Sequence, residues 1–310
     1  MTEDLINLEK CLVEGSGMIS GPWRLTVWEM HGKPVHYVFS EEHANEGSCP
    51  NEKDISSLAR QVLRTTRNVH VFIEHFIHAA SVETSGYDEE VCTKSKEKAI
   101  LNNMRNCLEV LRIKNKEDSH RIHFVDPRTD IVAILPDGKV FDAIKTYIAD
   151  RLEKKDYDGV LMTLYEAFIH PLLSIFPDKL NMSGRLTGQM QNSRDTMDDV
   201  QKTFFDLVWK RDIVKRIASL TEMFRDMQKN KAYDRVSELM TAYRDMTNKF
   251  LDTWLLAKTF SAENSGMTAS IIYLGSLHSL NFETYLEEIG YTRTTIHENK
   301  NLKSCLTVKD

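Results

Sequence analysis

Four short apolar runs, each closing on a titratable residue, constrain the fold of this chain more than any other feature of its sequence. They run from Val35 to Phe39, from Val69 to Ile73, from Ile122 to Val125 and from Ile271 to Leu274. Runs of this length, rich in β-branched and aromatic residues and bounded by turn formers such as Pro34 and Gly47, read as buried strands of a mixed or parallel sheet. Ligands of open α/β sheets sit in the crevice outside the carboxyl ends of the strands. Those ends carry Glu41 and His43, Glu74 and His75, Asp126 and Arg128, and finally His278.

The segments between the runs fix how they connect. Trp23 to Met30 alternates apolar and polar residues, and His31-Gly32-Lys33 turns it into the first run as a hairpin. Ile55, Leu58, Ala59, Val62 and Leu63 fall at helical spacing, so residues 35–75 have the length and order of one βαβ unit. Residues 79–95 are polar and read as a loop, and Ile100, Met104, Cys107, Leu108 and Leu111 mark a second helix over Lys96 to Arg112. From about Val140 to Phe260 the period becomes helical throughout, with His170-Pro171 as an expected kink or break and Asn181 to Gln191 as an expected loop. After the fourth run, Phe282 to Ile289 reads as a helix stopped by Gly290, and the tail over 292–310 as polar and loosely ordered.

The expected fold class is therefore α/β, α+β by content: a central mixed, largely parallel sheet flanked by helices, with a large helical insertion. The core domain is expected over 1–136 and 266–310, and the helical lobe over 137–265. At 310 residues and 41% hydrophobic content the chain has ample core. The helix methionines (Met190, Met197, Met223, Met227, Met240, Met246) fit that core better than a haem or copper site. A net charge of −6 argues against a general nucleic-acid binder. Five cysteines without CxxC or CxxH spacing suggest free thiols in a reducing compartment. With no signal-peptide h-region and no apolar run of membrane-spanning length, the expectation is a soluble cytoplasmic protein with no membrane partner.

Carboxylates with imidazoles make the ligand set of a divalent metal (Mn, Fe, Co or Zn), and equally a general base that activates water. Spacing does not separate the two, and no GxSxG, P-loop or GxGxxG motif is present. A Trp-containing strand (Trp23 to Met30) comes first, followed by a strand closing on Glu-x-His (Glu41, His43) and a strand closing on Glu74. A helical insertion and an apolar strand closing on Gly-x-x-His (Gly275 to His278) complete a pattern that resembles the erythromycin esterase/ChaN/TraB–Tiki superfamily.

The matching segments cover about a third of the chain, in the family's order. Members include esterases that open macrolides, metal-dependent proteases and haem-iron-binding lipoproteins, so the resemblance implies a site more firmly than a reaction. It implies Glu41, His43, Glu74 and His278 as metal ligands or catalytic groups. Asp126 and Arg128 join them by strand-end position alone, Arg128 as an oxyanion stabiliser. The expected activity is hydrolysis of a small-molecule or peptide substrate by an esterase or peptidase mechanism. Ser40 stands where the family has glycine and Glu42 is an extra acid. Both departures favour one alternative, an inactive structural or interaction protein that reuses the fold with the helical lobe as its binding surface for a protein partner; a metal- or haem-binding protein is a further alternative. Nothing in the pattern sets an oligomeric state.

Overall fold

A computed structural model describes residues 2–13, 18–42, 53–76, 100–114, 118–128, 138–175, 185–299 and 305–308. The chain packs as two compact units, Met1–Val125 with Ser261–Asp310, and Asp126–Phe260. The first holds two sheets. A six-stranded sheet contains β2 (Arg24–Glu29), β3 (Val35–Glu41), β5 (Val69–Phe76), β6 (Ile122–Asp126), β7 (Ala269–Gly275) and β8 (Thr292–Glu298), in the order β6-β5-β7-β3-β2-β8. A small sheet joins β4 (Lys53–Asp54), β1 (Met18–Ser20) and β9 (Cys305–Thr307). The mixed α/β architecture expected from the apolar runs is thus present, with a helical insertion between β6 and β7.

Strand β7 is the last of the four apolar runs, yet it lies between β3 and β5 and pairs in parallel with both. The registers coincide: Val35, Ala269 and Val69 stand level, as do Phe39, Tyr273 and Ile73. All seven residues of β7 are buried, as expected of a strand covered on both faces. One face packs on α1 (Glu3–Val13), α2 (Ile55–Thr65) and α3 (Ile100–Lys114). Tyr37, Phe39, Val71, Ile73, Ile271 and Tyr273 meet Leu8, Leu12, Leu58, Val62 and Leu108 there. The other face carries α11 (Ser276–Ile289), tied down by a buried ion pair: Arg24 of β2 donates two hydrogen bonds to Glu283, at 2.6 and 2.7 Å, and Thr26 donates a third. Gly290 ends α11 at φ 108°, a left-handed cap that only glycine adopts without strain.

Several expectations need correcting. The tail is not loosely ordered over its length, because Thr292–Glu298 forms β8, antiparallel to β2 on the sheet edge, and Cys305–Thr307 pairs with β1. Its polar composition suits an edge strand whose faces are largely exposed. Helix α11 begins at Ser276 rather than Phe282, directly after Gly275. Cys107 is disulfide-bonded while Cys11 is a buried free thiol, so a full set of free cysteines does not hold and no longer argues for a reducing compartment. Among the described residues no helix is long and apolar enough to cross a membrane. The expected loop over 79–95 lies outside the described residues.

The second unit is helical, with α4 (Gly138–Glu153), α5 (Tyr157–Leu164), α6 (His170–Ile175), α7 (Arg185–Asp195), α8 (Asp199–Val208), α9 (Lys215–Asn230) and most of α10 (Val236–Glu263). Helix α7 replaces part of the loop expected at Asn181 to Gln191. A π turn over Tyr165–Ile169 sits just before Pro171, whose ring and missing N–H disturb the helical ladder there. Met190, Met197, Met227, Met240 and Met246 are buried in this unit, consistent with a packing role.

Removing one partner of a buried ion pair leaves the other charge uncompensated, so Glu283→Ala should cost about 3–5 kcal/mol in urea unfolding. Glu298→Ala removes the outer acceptor of the same guanidinium, whose side chain is 26% exposed, and should cost about 1 kcal/mol or less.

Candidate functional site

The carboxyl ends of β3, β5 and β7 meet at one edge of the sheet, because the three strands are adjacent, parallel and in phase. The first pair formed there is Glu74 with His278. Glu74 Oε1 lies 3.9 Å from His278 Nε2, and both side chains are more than 90% buried. The other carboxylate oxygen, Oε2, accepts the Gly275 backbone N–H at 2.9 Å. Gly275 is the N-cap of α11 and offers no side-chain cap of its own. Glu74 therefore supplies from a neighbouring strand the carboxylate that a capping box places within the helix, at the positive end of the helix dipole. His278 follows in the first turn of α11, which brings its imidazole beside that carboxylate. Arg105 Nε donates to the Glu74 carbonyl at 2.6 Å, fixing the strand end from α3.

Glu41 belongs to a second arrangement. Side chains alternate along a strand, and Glu41 shares its face with Tyr37, Phe39 and Tyr273, whereas Glu74 lies on the face opposite Val71 and Ile73. The two carboxylates thus leave the sheet on opposite sides. The buried Tyr273 hydroxyl donates to Glu41 Oε2. Ser276 Oγ donates to the Glu41 carbonyl at 2.7 Å and accepts from Trp23 Nε1 at 3.0 Å, joining β3, the start of α11 and the residue before β2. On the same face as Glu41, His75 Nε2 lies 3.7 Å from Glu109 Oε2 of α3, with its ring edge-on to Phe124.

Of the remaining sequence candidates, His43 lies outside the described residues. Asp126 and Arg128 form a local ion pair, with Arg128 Nη2 2.8 Å from Asp126 Oδ2 and Nε 2.9 Å from Oδ1. Arg128 also reaches Asn248 Oδ1 at 3.2 Å, and both residues belong to the helical unit. Among the described residues no group of three or more His, Cys, Asp or Glu is arranged to hold a metal ion. The pleat supplies the reason for Glu41 and Glu74, which a shared metal would need on one side. The described residues alone therefore do not make the expected metal centre.

Sequence reasoning missed Tyr273, Ser276, Arg105 and the Gly275 amide. Tyr273 was accessible to it: once Gly275 is placed level with Glu41, alternation puts the residue two before the glycine on the face of that carboxylate. The amide and Arg105 contacts depend on tertiary approach and leave no local pattern. Comparison with protein-family models, with curated proteins and with solved structures finds no match to this chain.

Tyr273→Phe deletes the donor to Glu41 without changing ring packing and should lower stability by about 1–3 kcal/mol, the cost of stranding a buried acceptor. In a Glu41→Gln background the same change should cost less. A double-mutant cycle in urea reads the coupling.

Proposed function

We propose that this chain is a hydrolase of the esterase or peptidase kind, a divergent relative of the erythromycin esterase/ChaN/TraB–Tiki superfamily, with Glu74 and His278 as its central pair. The observation that carries this reading is the Glu74–His278 approach of 3.9 Å at the carboxyl ends of adjacent parallel strands, between residues from opposite ends of the chain. That separation exceeds a hydrogen bond, and catalytic contacts commonly tighten only once substrate is bound.

In this reading His278 takes a proton from the attacking water and passes it to the leaving group. Glu74 orients the ring and stabilises the imidazolium, while the Gly275 amide keeps the carboxylate in place. Glu41 borders the same strand ends from the opposite face, held by Tyr273. The substrate class is an ester or amide, in a small molecule or a peptide. Arg128 has no part in the step, because its guanidinium is engaged by Asp126.

A specific observation favours a second reading. The carboxylates of Glu41 and Glu74 both accept hydrogen bonds from the fold itself, through the Tyr273 hydroxyl and the Gly275 amide. That pattern also suits a chain that kept the architecture as an interaction module.

Purified full-length protein assayed on p-nitrophenyl esters and fluorogenic peptides, with Mn²⁺, with Co²⁺ and with EDTA, separates the two. The hydrolase should turn over at least one panel. His278→Ala and Glu74→Gln should each lower kcat/KM by about 10²–10⁴-fold, with a double variant little worse than either single one. His297→Ala, in β8, should behave as wild type. Absence of turnover in every arm, or variants as active as wild type, rejects the hydrolase in favour of the interaction module.

A further inference from the structure

The opposite end of the sheet carries a feature that the proposed reaction does not use. Each of three strands opens on a β-branched residue followed by histidine: Val35-His36, Val69-His70 and Ile122-His123. The pairing registers set His36 level with Ser270 and Ser270 level with His70, so His36, Ser270 and His70 form a row across β3, β7 and β5. His123 of β6, beside β5, extends it. The row is bonded within itself. His36 Nδ1 lies 2.8 Å from Ser270 Oγ, and His70 Nδ1 lies 2.8 Å from His123 Nε2.

The two ends of the row face different charges. At the β3 end His36 Nε2 lies 3.3 Å from Glu263 Oε1, which also accepts from the Tyr291 hydroxyl at 3.2 Å. At the β6 end the neighbours include a cation, Arg121. The His120 ring stands edge-on to His70 at 6.2 Å, and buried Arg121 donates to the carbonyls of Leu63 and Thr66 while pairing with Asp118. The His123 ring is nearly coplanar with His70, at an interplanar angle of 12° that suits the in-plane hydrogen bond, and stacks on Phe72 at 14°.

We propose that the His70–His123 pair is an acid-sensitive latch that holds the edge strand β6 on β5. One bridging N–H joins the two facing nitrogens when the rings are neutral. When β6 opens, His70 meets water and takes up the proton that its buried place beside His120 and Arg121 disfavours, so acid draws the pair toward the open state.

The titration of His70 has the matching direction. Burial, then His120 and Arg121, push its pKa down from 6.5 to about 4. The folded chain therefore binds fewer protons than the unfolded one between those values. The contribution of His70 to stability is complete above about pH 6.5, declines as pH falls and is gone below about pH 4. The linkage allows up to about 300-fold in the opening equilibrium, the 2.5 pH units separating the two values.

Hydrogen exchange of full-length protein at pH 7.0 and 4.5, corrected for the pH dependence of chemical exchange, tests the latch. Protection of amides 122–126 should fall at least tenfold at pH 4.5, and ahead of amides 269–275 in the central strand. His70→Phe, which fills the same space between strands without a titratable nitrogen, should remove most of that fall. His123→Phe is the second variant if the first does not fold, and His31→Ala, in an exposed turn, should keep the wild-type response. Unchanged protection of 122–126 in the wild type, or an equal fall in the phenylalanine variant, overturns the proposal.

Discussion

The structure of the first unit depends on the insertion of β7 between β3 and β5. It is a parallel, in-phase pairing made by a strand that arrives after the helical insertion. Parallel strands have no local turn to set their register, which has to come from side chains that fit on both faces at once. In β7, Ala269, Ile271 and Tyr273 face the helices α1 to α3, and Ser270, Ile272 and Leu274 face the other way. A slip of one residue would send Ser270 into the apolar layer and Tyr273 out of it. The in-phase register is what puts Gly275 level with Glu41 and Ser270 level with both His36 and His70. Both ends of the sheet thus inherit their chemistry from one pairing.

The same pleat divides the strand-end residues. Sequence order shows which residues follow an apolar run, and the runs Val35 to Phe39, Val69 to Ile73 and Ile271 to Leu274 are strands of one sheet, as their composition suggested. It does not show parity. Glu41 lies two residues after Phe39, on the same face, whereas Glu74 directly follows Ile73 and falls on the opposite one. A difference of one position at the end of a run decides which helix layer a carboxylate meets, and counting from a known apolar face would have predicted the split. Glu74 consequently belongs with α11 and His278, and Glu41 with Tyr273.

Other parts of the fold were beyond the sequence for physical reasons. The start of α11 at Ser276 carries no side-chain cap within its own segment, because the carboxylate at its N-terminus comes from β5. Strand β8 shows little apolar signal, since an edge strand with exposed faces is stabilised by main-chain pairing to β2 rather than by burial. The Arg24–Glu283 pair joins residues from opposite ends of the chain, and no local rule links them. The histidines at the second position of three strands were legible as a repeated dipeptide. Their alignment into a row needed the strand order.

Placing the titratable residues at the two ends of the strands has an energetic basis. The middle of β7, from Ile271 to Leu274, is fully buried between two helical layers, where an unpaired polar atom would cost several kcal/mol. At the strand ends, backbone donors and acceptors no longer used by the sheet become available: the Gly275 amide reaches Glu74, and the Glu41 carbonyl accepts from Ser276. Polar side chains are affordable there because the ladder has stopped supplying partners to the backbone and starts supplying them to side chains. The carboxyl end adds the N-terminus of α11, which favours negative charge and takes Glu74 as its cap. The amino end has no such dipole from α11, and there His70 and His123 meet through one shared hydrogen bond while His36 bonds Ser270 beside Glu263.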